Sequence, residues 1–572
     1  MTSFNSLKSY KAKENTCLDP IRISTILKDL GVPQFQQYNL KYAWINIGGW
    51  QSWNPCEELE PNTKQPSLKC HLLKQWNQYI LFPESRHEIS KSIVLGQFVS
   101  YLRWDNFYLV FVSAGNIDGV LPPVQFVFNR HNNTVTYELA DKGKEWAEGE
   151  LQAKIEVFTA ESYFEAREKL EKLFGSCDKD NPNYTSRFDS IQFLGKQPCG
   201  WESWYNHYFN INEKLILDDL NALKTTQNLI NLGDFENQNV VFQIDDGWET
   251  ALGEWTIRED RFPNGLKASA QKIEEEGYVP GLWIAPFIID LRSETAKNHP
   301  DWILRNRLKV PVMAGYNPLW GANFGRYQPG LPGSFYCLDL SNDEVIEYLD
   351  GLLDKVINEW GFRYIKLDFL YAGMLWGKFK NGGSAYQWFN RAVKTLTKRT
   401  ATNDGKPVCY LGCGVPFEPA FNYFPLSRTG CDTFEHWENK LLKKLNWNGR
   451  NSAYLNVKDS IGRAMWNKII FNNDPDVIFI RKENCSLTTK EKELIATVAV
   501  MFGNQIMYSD DPAKSTSKEE IEIAKKIVEI NEKYKNEEFS VKAIRNNIYN
   551  VASKNKNYQG IIDLEERYAD IR

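Results

Sequence analysis

The sequence predicts an α/β protein built around a (β/α)8 TIM barrel, with a β domain before the barrel and a smaller one after it. From about residue 197, short apolar segments alternate with amphipathic helical segments, which is typical of parallel βαβ units. Eight such units in ~340 residues match the usual size of a closed barrel. Periodicity does not show closure, so an open doubly wound sheet remains an alternative.

Each of the eight predicted barrel strands is a short apolar run. In chain order they read PCGWESW, VVFQIDD, VPGLWIAPF, YIKLDFL, PVCYLGC, FPLSRTGCD, DVIFIR and QIMYSDD. The helix before the fourth strand has Val345, Leu349 and Leu352 at helical spacing, with Ser341 and Glu344 as a capping box and a stop at Gly361. Thr488 and Glu491 predict the start of the helix before the eighth strand, and Gly503 predicts its end.

The parts flanking the barrel are predicted to be β domains. Residues 1–190 contain the strand-like segments YILF, IVLGQFVSYL, FYLVFVSA and VQFVFN, followed by the helical segment AESYFEAREKLEKLFG and the polar joint SCDKDNPNYTS at 176–186. We therefore expect an N-terminal β-sandwich with a helical linker over 1–190, the barrel over 191–534, and a small C-terminal β domain over 535–572.

The composition is that of an ordinary globular protein. A hydrophobic fraction of 42% and a net charge of −5 give no reason to expect nucleic acid or a membrane as a partner. The ten cysteines lack the spacing of a disulfide scaffold, and the first residues contain no apolar targeting segment, so we expect a cytoplasmic protein. The 19 Trp, 27 Tyr and 32 Phe favour sugar binding only weakly, because most aromatics fill cores.

The fourth predicted strand, YIKLDFL, contains two opposite charges in an apolar run. Because side chains alternate along a strand, Ile365 and Leu367 should face the helices while Lys366 and Asp368 face the lumen. Charges in a lumen are costly unless they meet each other or a ligand. An internal ion pair between the two would be a purely structural explanation.

Other predicted strands also end in polar or aromatic residues, at the end of the barrel where enzymes of this fold have their sites. Asp245 and Asp246 end the second strand, and Arg428 and Asp432 share one face of the sixth. Trp283 and Cys413 lie near the ends of the third and fifth strands. We interpret Asp510 and Asp511, after the eighth strand, as helix N-caps.

The residue types narrow the chemistry. The six histidines form no HxH or HExxH group, no GxSxG motif is present, and no glycine-rich loop follows a strand in a phosphate-binding register. Several carboxylates with aromatic residues suit a glycosidase, in which one carboxyl attacks or activates water and another protonates the leaving oxygen. A divalent-metal site is the alternative, and the nearby Lys366 and Arg428 argue against it. We predict no metal and no other cofactor.

The motifs, in this order, resemble those of glycoside hydrolase family 36, the α-galactosidases or melibiases, especially the short microbial members. The matching segments are GGWQSWNPC at 48–56, GWESWYNHYF at 200–209, FQIDDGWE at 242–249, GLWIAPF at 281–287, YIKLDFLYAG at 364–373, LGCGVPFEPA at 411–420, RTGCD at 428–432, NDPDVIFIR at 473–481 and SDD at 509–511. The resemblance implies an N-terminal β-supersandwich, a catalytic barrel and a C-terminal β domain.

The resemblance also implies roles for individual residues. Asp368 would be the nucleophile and Asp432 the acid/base, and a separation of ~5–5.5 Å between them would give double displacement with retention. The implied sugar-binding residues are Trp53 from the N-terminal domain and Trp204, Tyr205, Asp245, Asp246, Trp283, Lys366, Cys413 and Arg428 from the barrel.

The expected function is that of an exo-acting retaining hydrolase that releases terminal α-linked galactose from small carbohydrates of the melibiose or raffinose type. The chain departs from the family pattern at Glu202, in the tract after DDGWE, and in TFEHWENK after Asp432. An α-N-acetylgalactosaminidase, another α-glycosidase or transglycosidase, and a non-catalytic sugar-binding protein therefore remain alternatives. The oligomeric state is left open.

Overall fold

The computed structural model of the chain describes residues 6–11, 19–66, 87–114, 123–139, 152–175, 191–233, 239–317, 333–444, 451–514 and 516–572. Within these ranges, no helix combines the length and the apolar character that a bilayer crossing requires. The predicted strand YILF and the predicted joint at 176–186 lie outside the described residues.

The N-terminal part is a sandwich of two antiparallel sheets, as predicted. One sheet contains, in spatial order, Ser6–Lys11, Gln152–Ala160, Phe107–Ser113, Val99–Trp104, Trp44–Asn46 and Glu58–Leu59. The other contains Ile21–Arg22, Thr134–Leu139, Val124–Asn129 and Ile93–Gln97. The predicted single strand IVLGQFVSYL is in fact two strands, because Phe98 adopts a left-handed backbone conformation (φ 54°) and moves the chain from one sheet to the other.

The helices of the described residues include Ile23–Asp29 in the N-terminal domain, Tyr163–Gly175 after that domain, and those that connect and cover the barrel strands. The α-helices are Ile23–Asp29, Tyr163–Gly175, Trp204–His207, Glu213–Thr225, Leu229–Leu232, Gly265–Glu275, Glu294–Asn298, Asp343–Asp354, Ala385–Leu396, Phe417–Ala420, Lys440–Lys444, Ala453–Gly462, Thr489–Phe502 and Lys518–Tyr534. A π-helical turn over Lys355–Glu359 extends the helix Asp343–Asp354, and Gly361 follows with a φ of 91°.

The central part is a parallel barrel. Strands one to six are Cys199–Glu202, Val241–Ile244, Val279–Ile284, Tyr364–Leu367, Cys409–Gly412 and Leu426–Arg428, and strand eight is Ile506–Tyr508. Strand seven has two segments: Asn472–Asp474 pairs with strand six, and Val477–Ile478 pairs with strand eight. Strand eight also pairs with strand one, so the sheet is closed and the open-sheet alternative is wrong.

Strand seven begins earlier than predicted. The sequence indicated a start at Asp476, whereas the pairing with strand six begins at Asn472. Pro475 has no N–H to donate, and Asp476 has a φ of 74°, so the ladder is interrupted between the two segments. This interruption lets one strand pair with different neighbours at its two ends.

Two of the predicted helix starts differ from the structure. The helix Asp343–Asp354 is capped by Asn342, whose side chain accepts a hydrogen bond from the Glu344 N–H, while the Ser341 hydroxyl donates to Asp339 instead. Asp510 is not an N-cap: its carboxylate accepts the N–H groups of Ile480 and Arg481. The following helix starts after Ser517, and Asp511 accepts from Ala513 in a local turn. The capping box of Thr488 and Glu491 and the end at Gly503 are confirmed.

The lumen of the barrel is apolar at one end and polar at the other. Val241, Val279, Tyr364, Cys409 and Leu426 form a buried cluster near the amino ends of the strands. Because side chains two residues apart share a face, the next inward positions include the polar side chains of Gln243, Lys366 and Arg428 at the carboxyl ends. The apolar cluster is therefore the floor beneath the polar residues.

Two smaller sheets complete the fold. An antiparallel sheet of Ile288–Ile289, Met313–Tyr316 and Ser334–Cys337, which was not predicted, follows strand three. The C-terminal sheet contains Phe539–Arg545, Ile548–Ser553, Gln559–Asp563 and Tyr568–Ile571 in sequential order. The fold class is thus confirmed, while the exact domain boundaries stay predictions.

Candidate active site

Lys366 and Asp368 both face the lumen, as their parity predicts, but they do not pair with each other. Lys366 Nζ lies 2.8 Å from Asp245 Oδ2 on strand two and 3.3 Å from Glu202 Oε2 on strand one. Burial alone would lower the pKa of Lys366, but Asp245 and Glu202 outweigh it and hold the pKa well above its usual range. An ion pair within strand four is therefore not the explanation for the two charges.

Asp368 is held by uncharged donors instead. Trp283 Nε1 donates to Oδ2 at 3.0 Å, and the backbone N–H of Phe369 donates to Oδ1 at 2.7 Å. Phe369 itself adopts a left-handed conformation (φ 52°) just after the strand, so the chain turns away at this point. Each carboxylate oxygen thus has one donor, which fixes the orientation of the group, and 8% of the residue remains exposed.

Asp432 lies after strand six and has a different environment. Arg428 Nη1 lies 3.1 Å from Oδ1, and Asn451 Nδ2 donates to Oδ2 at 3.1 Å. The side chain is 28% exposed. Burial raises the pKa of Asp432 to about 7, the carboxylates of Asp476 and Asp368 contribute to the increase, and Arg428 opposes it. The carboxyl therefore holds its proton until close to neutral pH.

Arg428 joins strands six and seven through three carboxylates. Besides Asp432, it contacts Asp474 Oδ2 through Nε at 3.1 Å and Asp476 Oδ1 through Nη2 at 2.7 Å. The Tyr205 hydroxyl donates to Asp476 Oδ2 at 2.5 Å, so Tyr205 belongs to this network behind the lumen surface. Sequence reasoning missed Asp474 and Asp476. The two aspartates stand close together in the segment NDPD at 473–476, but the predicted strand DVIFIR began at Asp476 and left Asp474 outside it.

The two predicted sugar-binding aspartates have internal partners. Asp245 accepts hydrogen bonds from Lys366 and from Gln243 Nε2 at 2.7 Å, and its Oδ1 accepts from the Asp246 N–H at 2.9 Å. Asp246 shares a hydrogen bond with Glu249, whose pKa is raised by burial. Two carboxyls that share a hydrogen bond need one proton between them. Glu249 was not predicted from the sequence to contact the site.

The N-terminal domain reaches the barrel through the loop that carries Trp53. The Trp53 ring lies 5.1 Å from Phe369 and 5.4 Å from Tyr371, directly beside the end of strand four. Ser52 exchanges two hydrogen bonds with Val415, which follows strand five. The loop therefore forms a wall of the polar end of the barrel.

The remaining predicted residues lie around the same end. Cys413 is buried after strand five, and burial and the Asp368 carboxylate raise the pKa of its thiol well above the usual range, so the thiol stays neutral. Trp283 is buried and contacts Asp368. Trp204 is half-buried at the start of the helix Trp204–His207, and its ring lies 5.3 Å from that of Tyr208.

The structure therefore brings most of the predicted set into one lumen. Strands one, two and four contribute Glu202, Asp245 and Lys366, and Lys366 contacts the other two. Arg428 at the end of strand six contacts three aspartates, Asp432, Asp474 and Asp476, in and around strands six and seven. Among the described residues, no group of three or more His, Cys, Asp or Glu side chains is arranged to hold a metal ion. The available chemistry is that of two carboxyls with different surroundings, beside the aromatic side chains of Trp53, Trp283 and Phe369.

Comparison with known proteins gives consistent matches. The model of the melibiase family matches residues 192–372. The α-galactosidase AgaA of Geobacillus stearothermophilus is 30% identical over 183 residues, which is 30% of this chain and 21% of that protein. An α-galactosidase of Escherichia coli is 30% identical over 175 residues, again 30% and 21% of the two chains. The matched region spans about a fifth of the length of these curated relatives.

Solved structures match over nearly the whole chain. The α-galactosidase TtGalA of Thermus thermophilus, in complex with p-nitrophenyl α-D-galactopyranoside, has a TM-score of 0.68 at 24% identity and covers 92% of this chain and 91% of its own. TtGalA in complex with stachyose has a TM-score of 0.65 at 25% identity, covering 86% and 90%. The family 36 enzyme AgaA has a TM-score of 0.56 at 15% identity, covering 91% and 66%. Residues 192–372 thus match a melibiase domain, and the fold of the chain is similar to that of the α-galactosidases TtGalA and AgaA.

Proposed function

We propose that this protein is an exo-acting, retaining α-galactosidase. The observation that supports this most is that two carboxyls in one lumen have different surroundings. Asp368 accepts hydrogen bonds from two uncharged donors, whereas burial and the carboxylates of Asp476 and Asp368 raise the pKa of Asp432 to about 7, against the opposing charge of Arg428. An acid whose pKa is raised in this way, beside a second carboxyl that can attack, is what double displacement at an anomeric carbon needs.

In the first step, Asp368 attacks the anomeric carbon and Asp432 donates its proton to the leaving oxygen. The glycosidic bond breaks, and an ester forms between the sugar and Asp368. The ester is neutral, so one of the charges that raise the pKa of Asp432 disappears. Asp432 can then act as a base towards water in the second step, which releases the sugar with retained configuration and restores both carboxyls.

The shape of the lumen supports exo action. The apolar floor formed by Val241, Val279, Tyr364, Cys409 and Leu426 closes the barrel below the polar residues. A sugar must therefore enter from the polar end, which the loop carrying Trp53 borders on one side, and we propose exo action on this basis. Lys366, Asp245 and Asp246 at its base are the proposed partners of the sugar hydroxyls.

The proposed substrates are oligosaccharides that end in α-linked galactose, of the melibiose and raffinose type. TtGalA binds stachyose and the nitrophenyl galactoside, and a variant of AgaA binds raffinose. A site built to bond a particular hydroxyl rejects an analogue that lacks it, because its buried polar groups then stay unpaired. This supports selection at the hydroxyls of the terminal sugar.

Hydrolysis of p-nitrophenyl α-galactoside and of its α-N-acetylgalactosaminide tests the proposal. We expect activity on the first, with the α-anomer of galactose as the first product seen by NMR. Activity on the N-acetyl sugar alone would reject the substrate, a β-anomer would reject retention, and sugar binding without turnover would indicate a non-catalytic protein.

Two variants test the assigned roles. Asp368→Asn should abolish turnover while sugar binding remains, and retained turnover would contradict the nucleophile. Asp432→Ala should recover part of its activity with azide on an activated substrate, giving an α-azide. A β-azide would contradict the assignment of the two carboxyls.

A further inference from the structure

Glu202 is a buried carboxyl in the lumen that the proposed mechanism does not use. It is the last residue of strand one, and it is only 3% exposed. In the sheet it pairs with Gln243 of strand two, so both side chains share the inward face. Its backbone carbonyl accepts a hydrogen bond from the Ser509 hydroxyl at the end of strand eight, which anchors the residue from the other side.

Glu202 belongs to a closed group of four side chains. Gln243 Nε2 donates to Glu202 Oε2 at 3.1 Å and to Asp245 Oδ2 at 2.7 Å. Lys366 Nζ donates to the same two oxygens, at 3.3 and 2.8 Å. Because two donors bridge one pair of oxygens, the position of the ammonium depends on both carboxyls. An ammonium has three N–H groups, so one remains for a sugar hydroxyl.

The geometry favours a proton on Glu202. Its second oxygen, Oε1, is buried and has no hydrogen-bond partner among the described residues. When buried, a charged oxygen without a donor costs more than a neutral hydroxyl without an acceptor, and a carboxylate here would also share its donors with Asp245, a second anion. In agreement, burial raises the pKa of Glu202 to about 8. The nearby Lys366 and Arg428 lower it, and Asp245 and Asp476 raise it further.

We propose that Glu202 is a positioning residue for Lys366, and that its neutral form holds the ammonium group where it can donate to a hydroxyl of galactose. The inference rests on the proposed function of the site. A neutral Glu202 accepts one N–H of Lys366 and leaves Asp245 as the main partner of the positive charge. When Glu202 ionises, two carboxylates compete for one ammonium, and Lys366 is drawn towards strand one. Galactose therefore binds the protonated form better, and its binding promotes proton uptake.

Galactose binding measured by calorimetry between pH 6 and pH 9 tests this inference. With a pKa of about 8, about one tenth of the wild-type protein is in the binding-competent form at pH 9, so its Kd should be about tenfold weaker than at pH 6. Glu202→Gln keeps the oxygen that accepts from Lys366 but cannot ionise. Its Kd should lie within about threefold of the wild-type value at pH 6 and lose this tenfold dependence.

Two further variants serve as comparisons. Glu202→Ala removes the oxygen and should weaken galactose binding at every pH. Glu418→Gln makes the same chemical change at a buried carboxyl that bonds Ser113 outside the lumen, and should retain the wild-type pH dependence. Asp432 also titrates in this range, but it is present in all of these proteins, so the difference between wild type and Glu202→Gln isolates Glu202.

The outcomes separate this inference from the proposed function. If the wild type hydrolyses p-nitrophenyl α-galactoside but Glu202→Gln keeps its pH-dependent Kd, or Glu202→Ala binds as the wild type does at pH 6, the inference alone is overturned. If the wild type neither binds galactose nor hydrolyses the galactoside, both fail. Should Glu202→Gln not fold, proton uptake at pH 8 in Asp432→Asn decides, and an absence of uptake overturns the inference.

Discussion

Replacing Asp476 by Asn should move the alkaline limit of activity. Asp476 contacts Arg428 Nη2 at 2.7 Å, and Arg428 Nη1 lies 3.1 Å from Asp432. In the wild type the Asp476 carboxylate raises the pKa of Asp432, and Arg428 lowers it. Asp476→Asn removes the first effect and leaves more of the Arg428 charge for Asp432. Because Asp432 must be protonated to act as the acid, kcat/KM should then begin to fall at a lower pH.

The size of the change follows from the geometry of the guanidinium group. The two Nη atoms of Arg428 each contact one of the two carboxylates, and we take a separation of about 5 Å between the charges for the estimate. At an effective dielectric constant of about 20, two unit charges at that distance interact by about 3 kcal/mol. This corresponds to about two pH units at 1.36 kcal/mol per unit. Asp432 is 28% exposed, so water screens part of the interaction, and we expect about one pH unit.

The assay is kcat/KM for p-nitrophenyl α-galactoside between pH 4 and pH 9. The wild type should lose activity as the pH rises through about 7, the pKa of Asp432, and Asp476→Asn should lose it through about 6. Asp510→Asn, at another buried aspartate that contacts strand seven through Ile480 and Arg481, is the control and should keep the wild-type limit. An unchanged or a higher limit in Asp476→Asn would refute the electrostatic reasoning.

Three other substitutions test the supports of the site. Lys366→Met should lower the free energy of unfolding by about 3–5 kcal/mol in urea, because it leaves Asp245 as a buried, unpaired charge, and a loss below about 1 kcal/mol would contradict the pairing. Trp53→Ala should raise KM about tenfold, because the ring that lies beside Phe369 and Tyr371 at the mouth of the site would no longer contact the sugar, and such an aromatic contact is worth about 1.4 kcal/mol, whereas an unchanged KM would mean that the ring does not border the sugar. Arg463→Leu should both destabilise the protein by several kcal/mol and raise KM, because Arg463 donates to the carbonyls of three residues in the loop of Trp53. Destabilisation with a wild-type KM would mean that these bonds stabilise the fold without positioning the loop for substrate.

Much of the barrel could be predicted from local patterns. The alternation of side chains in YIKLDFL was enough to place Lys366 and Asp368 in the lumen. The apolar residues Ile365 and Leu367 pack against the helices, so the two charged residues must lie on the opposite, inward face. The capping box at Thr488 is equally local and is confirmed. Such features depend on residues a few positions apart, and a sequence shows those directly.

The features that were missed depend on partners distant in the chain. The pairing of Lys366 with Asp245 and Glu202 joins strands 121 and 164 residues apart, and alternation gives no information on which neighbour supplies the counter-charge. The division of IVLGQFVSYL into two strands was also missed, because the apolar residue Phe98 gives no indication in the sequence that its backbone is left-handed. Strand seven was cut at Asp476 because a proline normally ends a strand, whereas here Pro475 lies between two segments that pair on opposite sides.

The closure of the barrel and part of the rise in the pKa of Asp432 have a common origin in strand seven. Without the pairing of Asn472–Asp474 with strand six, Arg428 would lose Asp474 and Asp476, and its positive charge would act mainly on Asp432. That would favour the ionised form of the group that must donate a proton. On the opposite side of the lumen, Asp245 occupies Lys366 and leaves Asp368 to the uncharged donors. The two ion networks thus keep both cations occupied, and this is the electrostatic condition under which one aspartate can be a nucleophile while the other remains an acid.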